Sequence, residues 1–118
     1  EIKNKVLDNR IGQGQIDILE KWKGYWISKK YGDECGDSKY HTTIWKANED
    51  NSNYEFYKKD RWYLSFYESS YMITSVDLNL DTLNLNVVDE NFEEETFKIE
   101  INNKNLVNPN WGKLERCD

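Results

Sequence analysis

The sequence is poor in the residues that build metal sites, redox sites and membrane spans. Its 118 residues include two cysteines, one histidine, one proline and six glycines. So little proline and glycine excludes collagen-like and proline-rich proteins. No apolar run approaches the roughly 18 residues of a membrane-spanning helix, so we expect no membrane span. A single histidine, His41, cannot supply the three or four ligands that a zinc ion needs, and we expect no metal and no cofactor.

Basic charge is also scarce. Sixteen Lys and Arg stand against 22 Asp and Glu, which gives a net charge of −6. The charge is uneven, because residues 1–59 carry a net +1 and residues 60–118 carry a net −7. Nucleic-acid binding needs clustered cations to neutralise phosphates, so we expect no nucleic-acid partner. An acidic surface can meet a basic protein, and such a partner remains open.

Aromatic residues, in contrast, are abundant. Only 37% of the residues are hydrophobic and the mean hydropathy is −0.96, yet the chain contains 5 Trp, 8 Tyr and 4 Phe. Each large ring can bury roughly 150–250 Å², so relatively few apolar positions can fill a small core. We therefore expect one folded domain over residues 16–118, preceded by a polar N-terminal tail over residues 1–15.

The hydrophobic pattern changes period along the chain. Apolar residues from Ile16 to Trp22 have helical spacing, which predicts a short helical segment that ends near Gly24. From Lys23 onward, apolar and polar residues alternate and polar turns interrupt them, which is typical of strands. Eight strands are predicted, at residues 23–30, 40–47, 54–58, 61–68, 71–76, 81–88, 96–101 and 111–117.

The short links between these strands constrain the topology. Parallel neighbours need crossovers of a dozen or more residues, so strands joined by short turns are antiparallel. An open meander would leave two exposed edges, and closure into a barrel removes both. We predict an all-β fold, a single antiparallel eight-stranded meander barrel with a short N-terminal helical segment. An open sheet or a small sandwich is the alternative.

A Gly-x-Trp motif opens the first predicted strand at Gly24 and Trp26, and Arg116 ends the last one. This arrangement resembles the lipocalin (calycin) family, and the segments 81–85 and 111–116 are similar to small bacterial lipocalin-like domains. The resemblance implies that Arg116 lies across the ring of Trp26 at the closed end of the barrel. It also implies a non-enzymatic barrel that binds a small apolar ligand.

Six large side chains on the middle strands are the candidate lining of a ligand pocket. Alternation places Trp62, Leu64 and Phe66 on one face of their strand, and Tyr54 and Phe56 on one face of another. An eight-stranded barrel has room for one small ligand or is filled by its own side chains, so these residues are either pocket or core. The full candidate set is Trp45, Tyr54, Phe56, Trp62, Leu64 and Phe66.

The sequence contains no recognisable set of catalytic residues. No Ser-His-Asp or Cys-His set has credible spacing, so we predict that the protein is not an enzyme. The carboxylates between Asp89 and Glu95 are compatible with a glycosidase pair or a calcium site, but at a turn we expect them to be solvated. Two further functions remain open: a protein-binding inhibitor or immunity protein with an acidic surface, and an aromatic carbohydrate-binding surface.

The two cysteines, Cys35 and Cys117, are 82 positions apart. That spacing excludes a zinc ribbon or a CxxC redox site. The chain begins at Glu1, which predicts a removed leader and export to the periplasm, the cell surface or the medium. In that setting we predict a Cys35–Cys117 disulfide. The bridge requires the loop at 31–39 to fold back along the barrel wall, or a first strand shorter than predicted, because cysteine Cα atoms must lie within about 7 Å.

Overall fold

The structure, a computed structural model, describes residues 2–8, 11–28, 35, 41–66, 69–108 and 112–117. Two helices precede eight strands. The elements are α1 (Ile2–Asp8), α2 (Gln13–Trp22), β1 (Gly24–Ile27), β2 (His41–Lys46), β3 (Trp62–Ser65), β4 (Ser70–Asn79), β5 (Thr82–Val88), β6 (Glu94–Asn102), β7 (Asn105–Asn108) and β8 (Gly112–Cys117).

The eight strands form a closed barrel in which every strand pairs with its sequence neighbours. All pairs are antiparallel, and β1 closes the barrel against β8 with Trp26 opposite Arg116. The longest strand, β4, has a register shift between Ile73 and Ser75 that bends it around the wall. The predicted all-β meander barrel with an N-terminal helical segment is therefore confirmed.

The number of strands agrees with the prediction, but two of the elements differ. Residues 54–58 form a turn-rich segment that is held by hydrogen bonds from the Asn51 amide to the Tyr57 carbonyl and from the Tyr57 amide to the Tyr54 carbonyl. The strand β7 was not predicted, because only Leu106 and Val107 lie between two asparagines. Four residues are too few to display alternation.

The segment predicted as a polar tail contains α1 and the start of α2. Residues 2–8 form α1, and α2 begins at Gln13 instead of near Ile16. Val6 is buried against the outside of the barrel. Within the described residues, neither helix has the length and apolar character that crossing a membrane requires. The predicted strand residues 29–30, 40, 67–68 and 111 lie outside the described part of the chain.

Alternation directs one side of every strand into a continuous apolar interior. The helix α2 adds Leu19 and Trp22 to this interior and is tied to β4, because the Val76 amide donates to Gln15 Oε1 at 2.8 Å. Since β1 follows α2 directly, the helix lies at the end of the barrel where β1 begins. The buried strand residues of this cluster are Trp26, Ile44, Trp62, Leu64, Ile73, Val76, Leu83, Leu85, Val87, Ile99, Leu106 and Leu114.

The β4–β5 hairpin carries a residue that local preferences disfavour. Leu80 adopts φ 56° at the two-residue turn and is 91% exposed. Left-handed backbone is sterically unfavourable for leucine and less so for asparagine. Because Leu80 is exposed, its replacement loses little buried apolar surface. We expect Leu80→Asn to raise the free energy of unfolding by about 0.5–1 kcal/mol in urea denaturation. The matched variant Leu78→Asn, in the strand, is expected to lower it. A lower stability of Leu80→Asn would contradict this account.

Candidate functional site

The Gly24, Trp26 and Arg116 set lies at the α2 end of the barrel. The guanidinium carbon of Arg116 is 4.6 Å from the ring centroid of Trp26. Arg116 Nη2 also donates to the Lys21 carbonyl at 2.6 Å, and Trp26 Nε1 donates to the Trp22 carbonyl at 3.0 Å. The last carbonyls of a helix have no partners within the helix, so these two side chains cap α2 and attach it to the barrel.

Gly24 is favoured by its backbone conformation, because its φ of 137° lies in the region that L-residues rarely adopt. The space beside it is not the constraint, since an added Cβ would lie 3.5 Å from Arg116 Nε, an ordinary van der Waals contact. The motif therefore stabilises the closed end of the barrel. Its side chains are engaged in contacts with one another and with α2.

The candidate pocket-lining residues are divided between two places. Trp62 and Leu64 belong to the interior cluster, where they are 2% and 0% exposed. Phe66 packs at the edge of the same cluster. Trp45 and Phe56 instead lie outside the barrel wall, and Tyr54 joins them through a ring contact of 6.1 Å with Phe56. The six residues therefore do not line one pocket.

A second hydrophobic cluster covers the outside of β2, β3, β4 and the end of β5, and we call it the outer cluster. Its centre is Tyr63, which is 0% exposed and donates its hydroxyl to the Phe56 carbonyl at 2.7 Å. Burial raises the pKa of Tyr63 to about 12, so the hydroxyl stays protonated. The cluster consists of Val6, Ala47, Phe56, Tyr63, Met72 and Val88, with Leu7, Trp45, Tyr57 and Phe92 packed against it.

The end of the barrel opposite α2 carries three partly buried aromatic rings. Phe66 follows β3, Tyr71 lies at the start of β4, and Phe97 lies near the start of β6. Their ring centroids are 5.3 Å apart for Phe66 and Phe97, 5.0 Å for Tyr71 and Phe97, and 6.1 Å for Phe66 and Tyr71. Burial raises the pKa of the Tyr71 hydroxyl, and the charge of Glu95 adds to the effect. Tyr71 is thus a neutral group that can donate or accept a hydrogen bond.

Buried polar side chains lie on the neighbouring wall at the same end. Ser28 and Thr42 are 0% exposed and Asn108 is 9% exposed. Thr43 pairs with Ser65, so the register places Thr42 beside Phe66. Thr42 Oγ1 has no hydrogen-bond partner within the described parts of the chain. We call Thr42, Phe66, Tyr71 and Phe97 the barrel mouth.

Of these mouth residues, only Phe66 belongs to the set predicted from the sequence to line a pocket. Phe97 alternates with Ile99 and Ile101, and Thr42 is two positions from Ile44, so strand alternation placed both on the inward face. Tyr71 begins a strand immediately after the predicted turn at residues 69–70. Strand alternation therefore indicated that these residues face inward, but it does not show at which end of a barrel a residue lies.

The other polar groups considered from the sequence have structural contacts. Asp89 Oδ1 accepts hydrogen bonds from the amides of Asn91 and Glu93, so it organises the β5–β6 turn. His41 lies on the outer wall, stacked on Tyr25 with centroids 4.8 Å apart, and burial lowers its pKa. Among the residues that the structure describes, no three His, Cys, Asp or Glu side chains are grouped as metal ligands.

Cys35 and Cys117 are joined by a disulfide, with their Cα atoms 5.7 Å apart. Cys117 pairs with Tyr25 at the start of β1. Cys35 therefore lies beside the start of β1. The regular part of β1 is only four residues, Gly24–Ile27, so one of the two geometric conditions for the bridge, a first strand shorter than predicted, is met. The rest of the loop at 31–39 lies outside the described residues.

The fold and the mouth define a closed eight-stranded antiparallel barrel, helix-capped at one end and aromatic at the other. Comparison with protein families, with curated proteins and with solved structures gives no match.

Proposed function

We propose that the protein is a non-enzymatic, lipocalin-like barrel that binds a small apolar or aromatic molecule at the barrel mouth. One observation carries this proposal: three contacting, partly buried rings lie beside a buried threonine hydroxyl that has no partner in the described structure. Ligand pockets typically combine an apolar lining with a few polar groups that orient the ligand. A ligand with an aromatic body and one N–H or O–H donor matches this arrangement.

The depth of the site follows from the packing beneath it. Leu64, Leu85 and Leu114 are fully buried in the interior cluster, and toward α2 the interior is filled by Trp26 and Trp62. The ligand therefore occupies the mouth and does not reach the centre of the barrel. The Cys35–Cys117 bond supports the further proposal that the protein works in an oxidising, exported setting.

The neutral fluorophore N-phenyl-1-naphthylamine tests the proposed site, because it has two aromatic groups and one N–H donor. We expect its fluorescence to rise on binding, with one site per chain. Phe97→Ala is expected to weaken binding by about tenfold or more through the loss of ring contacts. The exposed control variant Leu80→Asn, at the other end of the barrel, is expected to bind normally. Absence of binding, or equal binding by the wild type and Phe97→Ala, would refute the proposal.

Thr42→Val is expected to change stability and binding in opposite directions. Valine has nearly the same shape as threonine and removes the buried hydroxyl that has no partner, so the free energy of unfolding should rise by about 1 kcal/mol. The same change removes the acceptor for the probe and should weaken its binding several-fold, about fivefold for one hydrogen bond. Urea denaturation and probe titration measure the two effects. A destabilised variant would show that the hydroxyl has an internal partner and would argue against its role in binding.

A further inference from the structure

The segment between β2 and β3, residues 47–61, folds over the outer wall and is held by its own hydrogen bonds. The Ala47 amide donates to the Arg61 carbonyl at 3.0 Å, and the Asp60 amide donates to the Ala47 carbonyl at 2.9 Å. The Lys59 amide donates to Asp50 Oδ1, and the Lys58 amide donates to the Tyr63 hydroxyl, both at 2.8 Å. These bonds join both ends of the segment to each other and to the wall, so the surface that it forms is preorganised.

A groove of about 690 Å³ lies between this segment and the wall, and we call it the Trp45 groove. Two half-buried rings, Trp45 and Tyr57, contribute its aromatic side, while the segment contributes exposed amide, hydroxyl and carboxylate groups. The groove is lined by Trp45, Ala47, Asn48, Glu49, Asp50, Asn51, Ser52 and Tyr57.

The orientation of Trp45 follows from three ring distances. Its centroid is 4.8 Å from Tyr63 and 5.9 Å from Tyr57, and the two tyrosines are 5.2 Å from each other. Rings on opposite faces of an indole would be roughly twice as far apart, so both tyrosines lie on the same side of Trp45. Trp45 and Tyr57 both line the groove, so the exposed part of this ring pair borders it. Trp45 Nε1 donates to Ser65 Oγ at 2.9 Å, which fixes the ring in this position.

The charge of the groove disfavours an anionic ligand. Its lining contains two carboxylates, Glu49 and Asp50, and no basic residue. Asp50 Oδ1 already accepts the hydrogen bond of the Lys59 amide. A phosphate is therefore repelled, whereas an exposed carboxylate accepts hydrogen bonds from the hydroxyl groups of a neutral sugar. The exposed rim offers both donors and acceptors, at Asn48, Ser52 and Glu49.

We propose that the Trp45 groove is a second binding site, which takes a neutral oligosaccharide. The apolar C–H face of a pyranose ring packs on the exposed part of the Trp45 ring, and its hydroxyl groups exchange hydrogen bonds with Asn48, Glu49 and Ser52. This site is separate from the barrel mouth, because Trp45 faces outward on β2 while Thr42 and Ile44 face inward.

Calorimetric titration with cellohexaose, maltohexaose, mannohexaose and chitohexaose tests the site. At least one of these neutral hexasaccharides is expected to bind. Asn48→Ala, at an exposed position, is expected to weaken binding by about threefold to tenfold and to leave the melting temperature unchanged. Trp45→Ala is expected to weaken it by about tenfold or more, and Trp45→Phe, which preserves more of the packing, by an intermediate factor.

The barrel-mouth variant Phe97→Ala is the matched control for the groove. It is expected to bind the saccharide like the wild type. Asn48→Ala is expected to bind N-phenyl-1-naphthylamine like the wild type, so the two proposed sites are tested independently. The proposal is overturned if none of the four hexasaccharides binds at about 5 mM, a weak-affinity limit. It is also overturned if binding is equal in wild type and Asn48→Ala, or if hexalysine binds in place of the sugars and loses affinity in Glu49→Gln.

Discussion

Replacing Trp26 with alanine is expected to lower the free energy of unfolding by about 3–5 kcal/mol, the range for truncating a large buried aromatic residue. Trp26 is 0% exposed and is one of the largest fully buried side chains of the barrel. Its removal leaves a cavity at the closed end, takes away the ring beneath Arg116 and leaves the Trp22 carbonyl without its donor. The helix α2 and the barrel are thus weakened by one substitution. Urea denaturation followed by far-ultraviolet circular dichroism measures the change.

Two conservative variants keep this prediction testable if the alanine variant does not fold. Trp26→Phe retains an aromatic ring and loses the hydrogen bond to the Trp22 carbonyl, so a smaller loss of about 1–2 kcal/mol is expected. Arg116→Lys retains the charge and loses the planar contact with the indole, with a similar expected loss. If Trp26→Ala cost less than Trp26→Phe, the motif would not hold the closed end in the way described here.

Removing the disulfide is expected to have the second large effect. The bond links residues 82 positions apart, and the loop-closure estimate for that length is about 4.5 kcal/mol. The double variant Cys35→Ser/Cys117→Ser should therefore unfold at a much lower urea concentration than the wild type.

Reductant supplies the control for the disulfide prediction. Dithiothreitol should shift the unfolding midpoint of the wild type toward that of the double variant and leave the double variant unchanged. Alkylation after denaturation without reductant should modify neither cysteine of the native protein. Two alkylated thiols, or a midpoint that does not respond to reductant, would contradict the bond.

Strand alternation predicted the inward face of the barrel well and the outer face poorly. Trp62 and Leu64 lie in the interior, as their shared parity indicated. Trp45 also alternates regularly with its neighbours, but this alternation places it on the outer face of the wall. Phe56 looked like part of a strand, because a two-residue pattern in a segment this short does not distinguish a strand from a folded loop.

The outer cluster could not be anticipated from local pattern. Its members come from α1, the segment at 47–61, four strands and the β5–β6 turn. A barrel of this size gains additional buried surface when its N-terminal helix and a long connection cover one wall. Which wall they cover depends on chain paths between elements, and hydrophobic periodicity contains no information about those paths.

The sequence by itself determined the class of fold. Apolar residues with period two, separated by short polar turns, are compatible with only a few topologies, because short links force antiparallel neighbours and exposed edges favour closure. The Gly24, Trp26 and Arg116 positions also followed from sequence, since barrel closure brings the end of the last strand beside the start of the first. The tertiary structure alone decided which aromatic rings meet at the mouth, and that Trp45 faces a groove outside the barrel. These features depend on contacts between residues far apart in the chain, and such contacts are set by packing of the whole molecule rather than by the preferences of any one segment.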